Sequence, residues 1–516
     1  MNDVPATRRR SLKSRLLLGV GVLAAGLFAG WVVLVSVWGQ QTLGPQRNFL
    51  EERNARIDSI PPDQRAWPRL RDAVDELGFI PWESFDRQVE ELTGSAESTE
   101  RDRWLLENEE GLASLRSALR RPRLGLAWYP EVPPVVDHFL LLSPEERRSL
   151  PLARPADASF VDDESLLINL PLRFPKPMRA MARLLEADAL RAARTGAPEQ
   201  AVDDCIAILD LARLCQQDPM LIAQLSALSI RSLAQQTILE VVSTESVRSN
   251  ARQLARLAEA LSVPISPVSL DGERMILEDI VQRFYTDDGA GDGYLMASKL
   301  SNAAYLTNLQ LPVLFLPDSS LHSHVLQPVV ARSAGSRREV LDAFEELASE
   351  HQRLGNADPW QIDWTRLEAM QDGLKSDGLL GALHRFPLPL LAPNYESLVL
   401  ASQSSRFRHE CTKLVVAVHR FRVRTGQWPD RLEQLQPDLL TEVPRDPYDG
   451  AFLRYQLRGD QPVIWSIGTD SIDNGGVFDE PTGPFALKRV SPQDGGVTSA
   501  AVDQRLWPAS IPPSRE

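Results

Sequence analysis

The sequence predicts a mainly α-helical fold with an N-terminal transmembrane helix, an irregular α-helical middle with helical hairpins, and a small α+β C-terminal module with a short antiparallel sheet. Three observations lead to this fold class. Residues 16–39 contain no ionisable side chain. Apolar residues recur at helical spacing through most of the chain that follows. Two short segments between residues 452 and 467 then have the pattern of a β-hairpin.

The apolar run 16–39, LLLGVGVLAAGLFAGWVVLVSVWG, is long enough to cross a bilayer as a helix. A helix satisfies every backbone N–H and C=O within the segment, as lipid requires. Five basic side chains precede the run, namely Arg8, Arg9, Arg10, Lys13 and Arg15. They predict a cytoplasmic N-terminus. We therefore expect a single-pass signal-anchor in the inner (cytoplasmic) membrane, with the chain from Gln40 onward in the periplasm.

The same stretch has an alternative interpretation as a cleaved signal peptide, because it contains three alanines near a conceivable cleavage point, Ala24, Ala25 and Ala29. A signal core usually spans about 7–15 residues, whereas this run continues to Trp38, and so an uncleaved anchor is favoured. Gly26 and Gly30 form a GxxxG pair, which lets two membrane helices approach closely. The expected partners are the bilayer, through residues 16–39, and an envelope protein that the sequence does not identify. A homodimer through Gly26 and Gly30 is one interpretation of the pair, and the other is that glycine is common in membrane helices.

Composition limits what the exported part can bind. The chain has 516 residues, of which 43% are apolar and 24% charged, as in ordinary globular proteins. Its net charge is −14 although the N-terminal tail is basic, which argues against a nucleic-acid partner and is compatible with divalent cations. The three cysteines, Cys205, Cys215 and Cys411, have no metal-ligand spacing and are expected to be buried apolar residues.

The region between the anchor and the C-terminal module is expected to consist of helices separated by proline-rich connections. The clearest helical pattern covers residues 177–242, where Thr195-Gly196-Ala197-Pro198 and then Asp218-Pro219 interrupt the apolar stripe. This pattern predicts a helical hairpin of tetratricopeptide-like size, without a repeating period. The expected segments are a cytoplasmic basic tail (1–15), the transmembrane helix (16–39), a helical and proline-rich region (40–175), an α-helical domain (176–395), the C-terminal module (396–490) and a disordered tail (491–516).

The C-terminal module combines a long helix with a small sheet. A helix is predicted from Ser397 to Arg424, ended by Thr425-Gly426. The turn cluster VPRDPYDG follows, and after it come two strand patterns, Phe452 to Leu457 and Pro462 to Ile467. The acidic glycine loop GTDSIDNGG then covers residues 468–476.

Three segments of this module, RFRVRTGQWPDRLEQL, VPRDPYDGAFLRYQL and VIWSIGTDSIDNGG, occur in the order of the turn and loop motifs of a known family. The module resembles the C-terminal domain of type II secretion major pseudopilins. The resemblance implies a calcium-binding loop with Asp470 and Asp473 as ligands, and Ser466 and Asn474 as weaker candidates. Carboxylates and carbonyls in a short glycine-containing curl suit Ca²⁺. The alternative is a hairpin-type turn with solvated aspartates.

The rest of the chain departs from the pseudopilin pattern. The processing signal of that family is missing around Leu16, and the module does not directly follow the membrane helix. As a whole, the chain resembles bacterial membrane-anchored proteins of uncharacterised activity that pair a helical middle with this module. The segments RLLEADALRAARTGAPEQAVDDCIAILDLARLC and VQRFYTDDGAGDG carry that resemblance. It implies an architecture and no activity.

The sequence contains no phosphate-binding loop, HExxH, GxSxG or CxxC motif, so we expect no enzymatic activity. Two further segments contain metal-ligating residue types. The loop Thr286–Gly293 lacks EF-hand spacing and is expected to be a flexible solvated turn, and His322 with His324 after Asp318 could hold a metal, although chance proximity is the favoured interpretation.

The favoured function is that of an interaction or scaffold protein of the cell envelope. One alternative is a hydrolase acting on envelope material, with Glu273 and Asp279 as acid and base. Another is an accessory role in type II secretion-like transport, which rests on fold analogy alone.

Overall fold

The structure, a computed structural model, describes residues 12–38, 47–77, 80, 95–128, 167–169, 175–300, 327–374, 384–391, 394–478, 487–489 and 503–508. Within these residues the chain is mainly helical and contains a small antiparallel sheet, as predicted. The α-helices are α1 (Leu12–Trp38), α2 (Phe49–Asp58), α3 (Trp67–Glu76), α4 (Ser95–Glu107), α5 (Glu109–Leu119), α6 (Pro175–Arg194), α7 (Pro198–Cys215), α8 (Leu221–Ser243), α9 (Glu245–Arg248), α10 (Ala251–Ala260), α11 (Asp271–Phe284), α12 (Gln327–Ala331), α13 (Arg337–Asn356), α14 (Thr365–Leu374) and α15 (Tyr395–Thr425). The strands are β1 (Arg454–Arg458), β2 (Gln461–Ser466) and β3 (Gln504–Trp507).

The first helix, α1, has 27 residues and includes most of the apolar run. Its side chains are described at positions 17–31, and all of them are exposed. Within the part of the chain that the structure describes, no helix has both the length and the apolar character needed to cross a membrane. The transmembrane assignment of this segment therefore stays a prediction.

The chain divides into two compact units, each assembled from separate segments. The smaller unit comprises Met1–Asn48, Arg274–Leu347 and Glu368–Ala392. Inside it, the Tyr285 hydroxyl donates to the Phe386 carbonyl at 2.7 Å, and the rings of Phe284 and Phe386 lie 5.5 Å apart. Burial of these aromatic side chains around one satisfied hydroxyl stabilises this unit.

The larger unit comprises Phe49–Glu273, Ala348–Leu367 and Pro393–Glu516. Its centre is formed by α6, α7 and α8, the three consecutive helices that the sequence predicted. The turn between α6 and α7 contains Gly196 with φ of +77°, a left-handed conformation that glycine adopts without steric cost. Pro198 is the first residue of α7, where its missing N–H is not needed. These two residues fix the helical hairpin.

Apolar side chains of these helices form two buried clusters in the larger unit. One cluster joins α6–α8 to α3 and α5, and the other joins them to α10, α15 and the sheet. The three cysteines are buried and free, as the sequence predicted, and burial raises the pKa of each thiol. They therefore pack as small apolar residues.

The C-terminal module contains the predicted long helix and β-hairpin. Asn394 caps the start of α15 by accepting the Ser397 N–H at 3.1 Å, and Gly426 ends it with φ of +78°. Strands β1 and β2 pair antiparallel from Arg454 opposite Trp465 to Arg458 opposite Gln461. The two strand ranges differ from the predicted ones by one or two residues at each end.

The prediction of a disordered tail over residues 491–516 is wrong for residues 504–507. These residues form β3, which pairs antiparallel with β2 and completes the strand order β1-β2-β3. Trp507 of β3 is buried and belongs to the same cluster as α15. The tail composition gave no sign of this strand, since its stability comes from pairing with a distant segment.

Candidate functional site

The predicted calcium loop, residues 468–476, follows β2 at one end of the sheet. Asp446, from the preceding turn cluster, is buried and accepts the Ile467 N–H at 2.9 Å and the Ser466 hydroxyl at 2.9 Å. Arg454 of β1 lies 3.2 Å from the same carboxylate. Burial raises the pKa of Asp446, although these donors oppose the rise. Asp446 thus fixes the point where the loop leaves the sheet.

The other end of the loop is held by Asp503, which directly precedes β3. Asp503 is buried and accepts the backbone N–H groups of Asn474 at 3.1 Å and of Gly476 at 2.6 Å. Its own N–H donates to the Val477 carbonyl at 3.0 Å. Two backbone donors of the loop are therefore satisfied by one carboxylate, which holds this end of the loop against the sheet.

The predicted ligands themselves are used mostly in local hydrogen bonds. Asp470 accepts the Ile472 N–H at 3.1 Å, and the Asn474 amide nitrogen lies 3.4 Å from the other Asp470 oxygen. Asp473 accepts the Gly475 N–H at 3.0 Å and the indole N–H of Trp465 at 3.2 Å. These are the short-range contacts of aspartates in turns.

Two of the four predicted ligands, Ser466 and Asp473, are engaged by other side chains. The Ser466 hydroxyl is directed to Asp446, and Arg454 Nε lies 3.5 Å from Asp473 Oδ2, where a guanidinium competes with a metal cation. Among the described residues, no group of three His, Cys, Asp or Glu side chains is arranged to hold a metal. The calcium assignment therefore stays a prediction.

The two buried aspartates that hold this loop, Asp446 and Asp503, were not predicted as site residues. Asp446 belongs to the turn motif PRDPYDG, and its position within the motif is the signal that could have identified it. Asp503 lies in a polar, proline-containing tail and gave no signal. The motif GTDSIDNGG therefore located the loop, while the two aspartates that hold its ends lie elsewhere in the chain.

The second acidic loop, residues 286–293, is an ordered turn in the smaller unit. Asp288 accepts the N–H groups of Ala290 at 2.7 Å and Asp292 at 3.0 Å. Asp287 pairs with Arg337 at 2.7 Å. Its acidic groups thus have partners within the protein. His322 and His324 lie outside the described residues.

The carboxylates of the hydrolase alternative, Glu273 and Asp279, have separate partners. Glu273 is buried and its Oε1 accepts the Leu221 N–H at 3.1 Å at the start of α8, while Oε2 has no hydrogen-bond partner among the described residues. Burial raises the pKa of Glu273 to about 7. Asp279 forms an ion pair with Arg283 at 2.8 Å. The raised pKa of Glu273 suits a general acid or base.

A buried charge cluster, which the sequence did not suggest, joins α5, α6 and α7. Arg116 Nη1 donates to Asp188 at 3.1 Å and to Asp204 at 2.9 Å, and neither aspartate is exposed to solvent. Arg191 donates to the other oxygen of Asp188 at 2.6 and 2.9 Å. Asp188 is thus fully paired, whereas Asp204 Oδ2 lacks a donor among the described residues.

The environment of Asp204 favours its protonated form. Desolvation by burial and the neighbouring Asp188 raise its pKa well above the ordinary value, against the opposing effect of Arg116. Two close carboxylates cannot both remain charged at low cost, and a proton on Asp204 supplies a hydrogen bond to Asp188. The cluster therefore clamps three helices together.

No protein-family model, curated protein or solved structure matches this chain.

Proposed function

We propose that this chain is a membrane-tethered protein of the cell envelope whose body outside the cytoplasm acts as an interaction or scaffold protein. The supporting observation is the surface of α1. Its leucines Leu17, Leu23 and Leu27 are 73%, 66% and 69% exposed. A contiguous apolar surface of this kind is costly in water and favourable in lipid, at about 25 cal/mol per Å² transferred.

The orientation follows from charge. Five basic residues between positions 8 and 15 precede the apolar run, while the chain as a whole has a net charge of −14. Lys and Arg next to a membrane helix keep that side in the cytoplasm. The acidic body then lies in the periplasm. The alternative of a cleaved signal peptide would leave the same body exported and untethered.

The proposed scaffold role is supported by how the body uses its charged residues. Buried charged groups have structural partners in this body. Arg116 joins three helices through Asp188 and Asp204, and Asp503 holds the 468–476 loop. We take the C-terminal module as pseudopilin-like on its motifs. An accessory role in secretion rests on that analogy only.

A second candidate, a hydrolase of envelope material, is favoured by one observation. Glu273 combines a buried, unpaired oxygen with a pKa near 7. The substitution Glu273→Gln distinguishes the two candidates in a strain that depends on the protein. A scaffold keeps its cellular function with this nearly isosteric change, whereas a hydrolase using Glu273 as acid or base loses it.

The tether is tested by extraction of isolated membranes at alkaline pH. The wild-type chain is expected to stay in the membrane pellet. The double substitution Leu23→Arg with Leu27→Arg costs roughly 2.5–3.5 kcal/mol per residue at the centre of a membrane helix and should release the chain or prevent insertion. Leu106→Arg, at an exposed leucine of the body, is the matched control and should stay in the pellet. Release of the wild-type chain would overturn the tether.

A further inference from the structure

Arg454 of β1 lies among three carboxylates of the C-terminal module. Its Nη1 is 3.2 Å from Asp446, its Nη2 is 2.6 Å from Asp449, and its Nε is 3.5 Å from Asp473. Two of these aspartates belong to the turn cluster VPRDPYDG, and the third belongs to the 468–476 loop. A single guanidinium thus connects the turn cluster, the first strand and the loop.

The guanidinium is largely removed from solvent. The side chain of Arg454 is 18% exposed, and that of Asp446 is fully buried. Water and salt screen such a pair less than a pair on the open surface, so each contact is stronger than an exposed ion pair. The hydrogen bond to Asp449 raises the pKa of Arg454, and the group therefore stays positively charged.

Neutral donors contact the same carboxylates. Asp449 accepts the Ala451 N–H at 2.9 Å, and Asp446 accepts the Tyr448 N–H at 3.1 Å. Asp473 accepts one backbone N–H and one indole N–H. Against the opposing effect of burial, the guanidinium and these donors hold the pKa of Asp449 and of Asp473 below the usual value. Both carboxylates are therefore ionised at neutral pH.

The calcium ion that the pseudopilin resemblance implies would need oxygens of this region. Ca²⁺ takes about six to eight oxygen ligands at roughly 2.3–2.6 Å. A calcium ion on Asp473 would share that carboxylate with Arg454, whose Nε lies 3.5 Å from Oδ2. Like charges repel strongly at such short range, so the guanidinium would have to move away before the metal could bind well.

We propose that Arg454 is the internal cation of the C-terminal module and takes the structural role that the resemblance assigns to calcium. The module is then ordered by its own side chain and does not require the metal. Removal of the guanidinium would leave three carboxylates close to one position, and such a group of oxygens suits a hard divalent cation. The inference goes beyond the scaffold role and does not rest on the membrane tether.

The first test is the melting temperature of the detergent-purified full-length chain, measured with excess Ca²⁺ and with excess chelator. The wild-type chain is expected to melt at the same temperature in both solutions, because Arg454 already supplies the positive charge. A rise with Ca²⁺ in the wild-type chain that Asp473→Ala abolishes would overturn the proposal.

Arg454→Met should create a response to calcium. Methionine is unbranched and uncharged, so the three carboxylates lose their counter-charge and the variant should melt below wild type in chelator. Calcium at roughly ten times its dissociation constant should then raise the melting temperature by about 2 °C. Arg458→Met is the matched control, because Arg458 donates to the carbonyls of Gly475 and Gly476 at 2.7 and 3.0 Å. It should lose stability and gain no response to calcium. An equal response in both variants, or none in either, would contradict the role of Arg454.

Arg454→Lys separates the charge from the shape of the side chain. Lysine keeps the positive charge and lacks the planar fork that contacts several carboxylates at once. This variant should melt between wild type and Arg454→Met, and calcium should leave its melting temperature unchanged. If Arg454→Lys responds to calcium as strongly as Arg454→Met, positive charge is not what excludes the metal and the proposal is wrong. The wild-type chain and Arg454→Lys still decide the question if Arg454→Met fails to fold.

Discussion

At Asp204, burial disfavours the charged form of the carboxyl group. Its carboxyl group is buried, and its charged neighbours are Asp188 of α6 and Arg116 of α5, which pair in turn with Arg191 and Glu109, respectively. Because the folded pKa is raised above the ordinary value of 3.8, the folded state holds a proton that the unfolded state has lost. Stability therefore falls as pH rises from about 3.8 through the raised folded pKa.

The substitution Asp204→Asn should remove this pH dependence. The amide keeps a donor for Asp188 and carries no charge, so the variant is expected to match wild type at low pH and to be more stable at high pH, by about 1–3 kcal/mol. Urea unfolding at pH 5, 7 and 9 measures the difference. Asp58→Asn, at an exposed aspartate, should show no change. A variant less stable than wild type at every pH would contradict a protonated Asp204.

Asp503 provides a second prediction at the residue scale. The substitution Asp503→Ala leaves the N–H groups of Asn474 and Gly476 without their acceptor, which should cost about 1–3 kcal/mol per unsatisfied buried group. Chemical denaturation measures the loss. Asp460→Ala, at an exposed aspartate of the β1–β2 turn, is the control and should change stability little. An Asp503→Ala variant as stable as wild type would show that the loop does not depend on this residue.

At the element scale, the 468–476 loop is where the calcium prediction is tested. If Ca²⁺ binds Asp470 and Asp473, added calcium should raise the melting temperature and excess chelator should lower it, because a ligand of the native state stabilises it. The shift should vanish in the double variant Asp470→Ala with Asp473→Ala. Identical melting temperatures with calcium and with chelator would contradict the prediction.

The GxxxG pair of α1 carries a prediction about self-association. An added Cβ at Gly26 or Gly30 would contact nothing within 4 Å in the single chain, so both positions are open to a second helix. We expect Gly26→Leu with Gly30→Leu to reduce dimer cross-linking in membranes, since the larger side chains keep two helices apart. Gly19→Leu with Gly21→Leu, equally open in the single chain, is the control. Equal cross-linking in all three proteins would contradict dimerisation through this face.

Elements with local signals could be predicted from sequence. The hairpin of α6 and α7 followed from its apolar spacing and the turn at Gly196, and α15 followed from its stripe and Gly426. Strand β3 could not be predicted, because its pairing with β2 and its buried Trp507 are contacts across the fold. Local periodicity reports only the nearest turns of the chain.

Among the site residues, too, some follow from a local motif and others depend on contacts between distant parts of the chain. Asp470 and Asp473 were located by a motif, whereas Asp503 contacts Gly476 over 27 residues and Arg116 contacts Asp204 over 88. Asp204 gave no signal, because it lies on a predicted helix where an exposed position is the ordinary expectation for a polar residue.

At the scale of the whole molecule, the two compact units are each built from non-adjacent segments. Composition and periodicity vary along the chain and therefore predict only consecutive ranges. Segments such as Ala348–Leu367 and Pro393–Glu516 belong to one unit through contacts between distant residues. Such assembly is set by the tertiary packing of apolar faces, which local patterns do not specify.

The central claim is that the body of the protein lies outside the cytoplasm on a membrane tether. The most direct measurement compares two reporters fused after residue 516, alkaline phosphatase, which is active outside the cytoplasm, and a fluorescent protein that matures only in the cytosol. A basic N-terminal flank with an acidic body predicts phosphatase activity and no fluorescence, with the fusion retained in the membrane fraction. Cytosolic fluorescence without phosphatase activity would contradict the account.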